Sequence, residues 1–136
     1  MLHILLAEDN YGDVLLVQQA LEEHALLHEL HVVHDGAEAL NFMAQMGKPG
    51  APPCPDVFLI DLNLPKVDGP QVLQEFRKHP ECVHTPVVVV TSSDAPRDRK
   101  QVEDLGANAY FRKPSDLGEF MKLGGVIRSL LGPQAA

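Results

Sequence analysis

Short apolar runs alternate along this chain with longer stretches of helical periodicity. Ile4-Leu5-Leu6-Ala7 is the first run, and it stops at two acids. From Asp13 to about His24, Val14, Val17 and Leu21, with Leu16 and Ala20 beside them, recur at the spacing of one helix face. Leu30-His31-Val32-Val33 reads as a second strand, and Gly36 to about Met46 as a second helix with Ala37, Leu40, Met43 and Ala44 on one side. Residues 47–55 hold four prolines and must be a loop. Val57-Phe58-Leu59-Ile60 and Val87-Val88-Val89-Val90 are wholly apolar. Pro70 fits the first turn of a helix reaching about Lys78, with Val72, Leu73 and Phe76 as its apolar side. A polar helix from about Arg97 to Leu105, a strand over Ala109 to Arg112 and a helix from about Leu117 to Leu131 complete the pattern.

Apolar runs without polar alternation are strands covered on both faces, as in a parallel sheet between helical layers. Five β-α units in series therefore predict an open, doubly wound α/β sheet, because βαβ crossovers are right-handed and helices must cover both sides. The 136 residues suit one domain, and a hydrophobic content of 45% supplies its core. Residues 1–132 are expected to form that domain and 133–136 a short tail, with no output domain. Nineteen acidic residues against eleven basic ones leave a net charge of −8, which a phosphate backbone would repel. No nucleic acid is expected as a partner.

No apolar run approaches the roughly 18–20 residues of a membrane span. The amino terminus lacks a basic start and meets Glu8-Asp9 at once, unlike a leader peptide. Cys54 and Cys82 lie far apart in loop-like sequence, with neither metal spacing nor a dense disulfide pattern. These features lead to the expectation of a reducing cytoplasm and no membrane.

In such a sheet, ligands sit at the carboxyl ends of the strands. Strand one ends in Glu8-Asp9, strand three in Asp61, strand four in Thr91-Ser92-Ser93 and strand five in Lys113-Pro114. Three carboxylates brought together repel, by about 4 kcal/mol per pair at 4 Å and an effective dielectric of 20. Such a cluster is either partly protonated or neutralised by a cation, and hard oxygen ligands suit Mg²⁺ rather than zinc. Lys113 adds a movable positive charge and Thr91 a hydroxyl. An aspartate so placed can receive a phosphoryl group as a nucleophile, with metal and lysine stabilising the charge on its oxygens.

The set Glu8-Asp9, Asp61, Thr91 and Lys113-Pro114 resembles the receiver domain of bacterial two-component response regulators. Asp61-Leu62-Asn63-Leu64-Pro65-Lys66-Val67-Asp68-Gly69 matches that family's phosphoacceptor loop in spacing. The resemblance covers practically the whole chain. It implies a flavodoxin-like (βα)5 fold with strand order 2-1-3-4-5, and Asp61 as acceptor of a phosphoryl group from a phosphohistidine on a sensor histidine kinase. It also implies Mg²⁺ bound by Asp9, Asp61 and the backbone carbonyl of Asn63, with Glu8 acting through a metal-bound water. Thr91 and Lys113 would contact the phosphoryl oxygens, and Thr91 and Tyr110 would form the switch. Asn63 and Ser93 would tune the lifetime of the aspartyl phosphate, and the Lys113-Pro114 peptide would be cis. Such a protein catalyses only its own phosphorylation and slow dephosphorylation. Glu8-Asp9-Asn10 followed by Asp13, the proline-rich loop and Asp61-Leu62-Asn63-Leu64-Pro65 are further similar to the stand-alone regulators of bacterial phytochromes. That implies a light-sensing kinase as partner and a homodimer through helix 4, strand 5 and helix 5.

Plainer readings stand beside these. Asp13 reads as a helix cap and Asp68-Gly69 as turn chemistry. His28, His31 and His34 are spaced by three, which alternates faces along a strand, so they cannot converge on a metal. Gly118, Gly124 and Gly125 predict a last helix that is frayed, kinked or closely packed on a neighbour. Two other functions compete. A phosphoaspartate-type phosphatase would need a second acid where this chain has Asn63. A receiver-like binding module without phosphorylation would not need the acids and lysine that are present.

Overall fold

Five parallel strands, β1 (Leu2–Ala7), β2 (His28–Val33), β3 (Val57–Ile60), β4 (Val87–Thr91) and β5 (Ala109–Arg112), form one sheet in the order β2-β1-β3-β4-β5. Helices α1 (Tyr11–Glu23), α2 (Gly36–Gln45), α3 (Gly69–Phe76), α4 (Pro96–Asp104) and α5 (Leu117–Leu131) follow the strands in turn. This computed structural model describes residues 1–132; the tail expected at 133–136 lies outside the described residues. The doubly wound sheet and its strand order are those expected, and no helix among the described residues is long and apolar enough to cross a membrane.

Alternation along the strands divides the core in two. Leu5, Ala7, Phe58, Ile60, Val87 and Val89 face α2, α3 and α4. Ile4, Leu6, Val57, Leu59, Val88 and Val90 face α1 and α5. Every residue of β3 is fully buried, which explains a run with no polar position, and each such side chain contributes about 1.5–3 kcal/mol. β1 and β2 begin two residues earlier than their apolar runs. His3, His28 and Glu29 join the ladder at a half-open edge, where hydrophobicity does not mark them.

Asn10 caps α1 by accepting the Asp13 N–H at 3.0 Å, so Asp13 is not the cap and its side chain is free to act elsewhere. Asp68 caps α3 through the Gln71 N–H, as a turn residue would. A 3-10 turn at Pro80–Cys82, with no periodic signal, precedes β4.

The last helix is continuous through all its glycines and packed closely. A methyl group on Gly124 would sit 2.5 Å from the Ala20 carbonyl oxygen and overlap the His24 ring. α1 therefore approaches α5 nearer than any larger residue allows, and His24 bonds the Met121 carbonyl at 3.0 Å across the seam.

Cys54 and Cys82 are joined in a disulfide, with Cα atoms 5.9 Å apart. This corrects the expectation of two unrelated loop cysteines. β3 and β4 are neighbours, so the loops that lead into them meet at the amino-terminal end of the sheet, although 28 positions separate the residues. Arg77 braces the same end. Its guanidinium donates to the carbonyls of Cys82, Thr85 and Gly106 at 3.1, 2.7 and 2.7 Å, and to Asn108 Oδ1 at 3.0 Å. Asn108 Oδ1 also accepts the Val87 N–H, so one side chain joins the entrances of β4 and β5.

Candidate functional site

The carboxyl ends of β1, β3, β4 and β5 deliver Glu8-Asp9, Asp61, Thr91 and Lys113 to one rim. Lys113 is the centre of the cluster. Its ammonium donates to Glu8 Oε1 at 2.6 Å, Asp13 Oδ2 at 2.7 Å and Asp61 Oδ2 at 2.8 Å. Burial works against its charge, yet hydrogen bonds to Asp13, Asp61 and Glu8 together hold its pKa above the ordinary lysine value. Glu8 is almost wholly buried, and burial raises its pKa to about 7 against the opposing hydrogen bond from Lys113. Carboxylate oxygens of Glu8, Asp9 and Asp61 all lie within 4.8 Å of one another. Asp9 is exposed, so the nest opens to solvent on its side.

The acceptor loop is shaped by its ends. Asp61 Oδ1 accepts the Asn63 N–H at 3.1 Å, which orients the carboxylate, and the Asn63 side chain is exposed beside it. Gly69 returns the chain under Asp61, donating its N–H to the Leu62 carbonyl at 2.9 Å. A methyl there would lie 2.5 Å from the Asp61 carbonyl oxygen, so only glycine admits this closure.

Thr91 is fully buried at the end of β4, and the Ser93 N–H points to its hydroxyl at 3.4 Å. The Ser93 hydroxyl donates to Asp98 Oδ2 at 2.6 Å and accepts the Ala95 N–H, which ties it to the first turn of α4. Tyr110 is half-buried, with its hydroxyl donating to the Ser93 carbonyl at 2.7 Å and the Arg99 guanidinium 4.5 Å above its ring. Thr91, the loop after β4 and Tyr110 thus form one connected path.

One expectation fails. The Lys113-Pro114 peptide is trans, as no peptide bond among the described residues is cis. Lys113 reaches its partners from a backbone fixed by the 2.7 Å bond from its N–H to the Thr91 carbonyl, and trans is the isomer an X-Pro bond favours when nothing selects the other. Asp13 is the third carboxylate on Lys113 and not a cap; Asn10 holds the capping position, which leaves the Asp13 side chain in the first turn of α1 free to reach the lysine. His28, His31 and His34 do not converge: they bond the Leu26 carbonyl, His3 and Glu38 respectively.

A model of the response regulator receiver domain matches residues 4–123. The chain is 39% identical over 120 residues to the response regulator Rcp1 of Synechocystis sp., spanning 88% of this chain and 82% of that protein. It resembles the crystal structure of the phosphorylated cyanobacterial phytochrome response regulator RcpA with a TM-score of 0.82 and 38% identity, over 92% of this chain and 90% of that one. The Mn²⁺-bound form of Rcp1 matches with a TM-score of 0.82 and 38% identity, over 93% of this chain and 91% of that one.

Proposed function

The chain belongs to the response regulator receiver family, and on that premise we propose that Asp61 accepts a phosphoryl group from a phosphohistidine on a sensor histidine kinase. The observation that carries the reading is the 2.8 Å bond from Lys113 to Asp61 inside a nest of further carboxylates. An Asp61 oxygen attacks phosphorus, the new O–P bond forms, and the phosphohistidine N–P bond breaks. The imidazole leaves with a proton from solvent. Lys113 follows the charge from the carboxylates to the transferred oxygens, and the Thr91 hydroxyl donates to one of them.

The donor set fits a hard divalent cation. It is all oxygen, and Glu8, Asp9, Asp13 and Asp61 outnumber their one lysine. The side chains of Glu8, Asp9 and Asp61, with the Asn63 backbone carbonyl, would hold Mg²⁺. When bound, the ion supplies positive charge against that building on the phosphoryl oxygens. Likeness to Mn²⁺-bound Rcp1 supports the assignment.

Thr91 moving toward the phosphoryl group pulls on Ser93, and with it on the carbonyl that anchors Tyr110. The anchored ring is one end of the switch, and release or capture of that ring remodels the face of α4, β5 and α5. That face is the proposed homodimer surface. Asn63, exposed beside the acceptor, tunes the lifetime of the aspartyl phosphate; Ser93 contributes less while its hydroxyl is held by Asp98. Likeness to RcpA supports a phytochrome kinase as the donor.

Incubation with acetyl phosphate and Mg²⁺, followed by intact mass, tests the centre of the proposal. Wild type gains one phosphoryl group and Asp61→Asn gains none. A labelled Asp61→Asn chain would remove Asp61 as the acceptor. Tyr110→Ala is expected to be labelled normally and to lose the phosphorylation-dependent change in dimerisation, read by light scattering.

A further inference from the structure

We propose that His3, Glu29 and His31 form a second metal site, for a zinc-type divalent cation, at the edge of the sheet away from Asp61. The parallel register of β1 and β2 pairs His3 with Glu29 and Leu5 with His31. Alternation then puts Glu29 and His31 on one face, with His3 beside both. His3 Nδ1 lies 3.2 Å from His31 Nε2 and 3.6 Å from Glu29 Oε2, and the three ligand atoms fall within 4.8 Å of one another. Zinc–nitrogen bonds of about 2.0–2.1 Å place two imidazole nitrogens on a tetrahedral ion about 3.3 Å apart, which is the spacing found here.

The rings are nearly parallel, with centroids 5.5 Å apart, as when one N–H points directly at the other nitrogen. A hydrogen bond between the two rings thus stands where the metal would bridge them, and a tilt of both rings toward Glu29 exchanges one for the other. The frame is held from both sides. Asp56 Oδ2 accepts the His3 N–H and the Asp56 N–H donates to the His3 carbonyl, each at 2.7 Å. The Phe42 ring, 5.6 Å from that of His31, supports it from α2. His3 is about one-third exposed and Glu29 more than half, so an ion and a fourth, water ligand have access. Two imidazoles and one carboxylate select zinc over magnesium, whereas the all-oxygen nest at Asp61 has the opposite preference. The two sites therefore sort ions by ligand chemistry, and the second one clamps the edge strand β2 to β1.

The test is calorimetric titration of Zn²⁺ into the tag-free, chelator-treated chain, with the acid nest disabled by Asp9→Asn and Asp61→Asn. One ion is expected to bind in that background, with the ring resonances of His3 and His31 shifting while those of His34 and His79 stay. Adding His31→Gln is expected to weaken binding by more than the roughly tenfold cost of losing a supporting residue, and Glu29→Gln, exposed and outside the core, to weaken it measurably. No binding in the Asp9→Asn, Asp61→Asn background, or equal binding after His31→Gln, overturns the site and leaves only the imidazole–imidazole hydrogen bond. Because phosphorylation of Asp61 is absent from every arm, failure here says nothing against the acceptor.

Discussion

Helices α4 and α5 flank the same edge strand and are fixed to the sheet in opposite ways. α5 buries Phe120, Leu123, Gly124 and Ile127 and is locked to α1 where Gly124 meets Ala20. α4 buries Val102 alone; Arg97, Lys100, Glu103 and Asp104 are charged and exposed. Its attachment near the rim is polar, through Asp98 to Ser93 and Arg99 over Tyr110. A segment with few buried apolar contacts opens at a lower free-energy cost than the global one. The proposed switch therefore acts through the helix whose displacement is cheap, while α5 stays as the fixed wall against which it moves.

The contrast can be broken or sharpened by experiment. The largest effect is expected from Phe120→Ala, which should lower stability by about 3–5 kcal/mol in denaturant unfolding, against about 1–3 kcal/mol for Val102→Ala. Equal losses would show that the two helices are equally anchored. The next concerns pH without divalent cations. Burial raises Glu8 from 4.5 unfolded to about 7 folded, so its contribution is complete below pH 4.5 and gone above about 7. Stability should fall across that window by on the order of 3 kcal/mol, and Glu8→Gln should flatten the fall. Because Glu8 directly follows β1, an interior strand of the sheet, the loss is global and leaves the difference in amide exchange between α4 and α5 intact. Gly124→Ala should cost about 1–3 kcal/mol by forcing α1 and α5 apart. The smallest is Tyr110→Phe, which removes the bond to the Ser93 carbonyl and should cost about 0.5–1.5 kcal/mol. Hydrogen exchange should speed up in α4 and not in α5; acceleration of both would mean that Tyr110 braces the whole edge.

Much of this was legible in the residue order because burial writes itself into hydrophobic runs. Val57 to Ile60 and Val87 to Val90 are strands wherever both faces are covered, and polar residues just beyond such runs must lie at the rim. What escaped depends on which strands are neighbours and in what register. Cys54 meets Cys82 because β3 lies beside β4, and His3 meets His31 because β1 and β2 align. Asp13 was hidden by the ambiguity of a short acid at a helix start, where capping and long-range pairing look alike in sequence. Gly124 in sequence fits a frayed, a kinked or a closely packed helix alike, and only the position of Ala20 and His24 selects close packing.

The guanidinium of Arg77 has a mechanical consequence. By riveting the entrances of β4 and β5 to each other and to α3, it leaves those strands unable to slide along their length. Any signal leaving Asp61 must then travel sideways, by rotation of side chains and tilting of a helix, like a door swinging on a frame bolted at its sill.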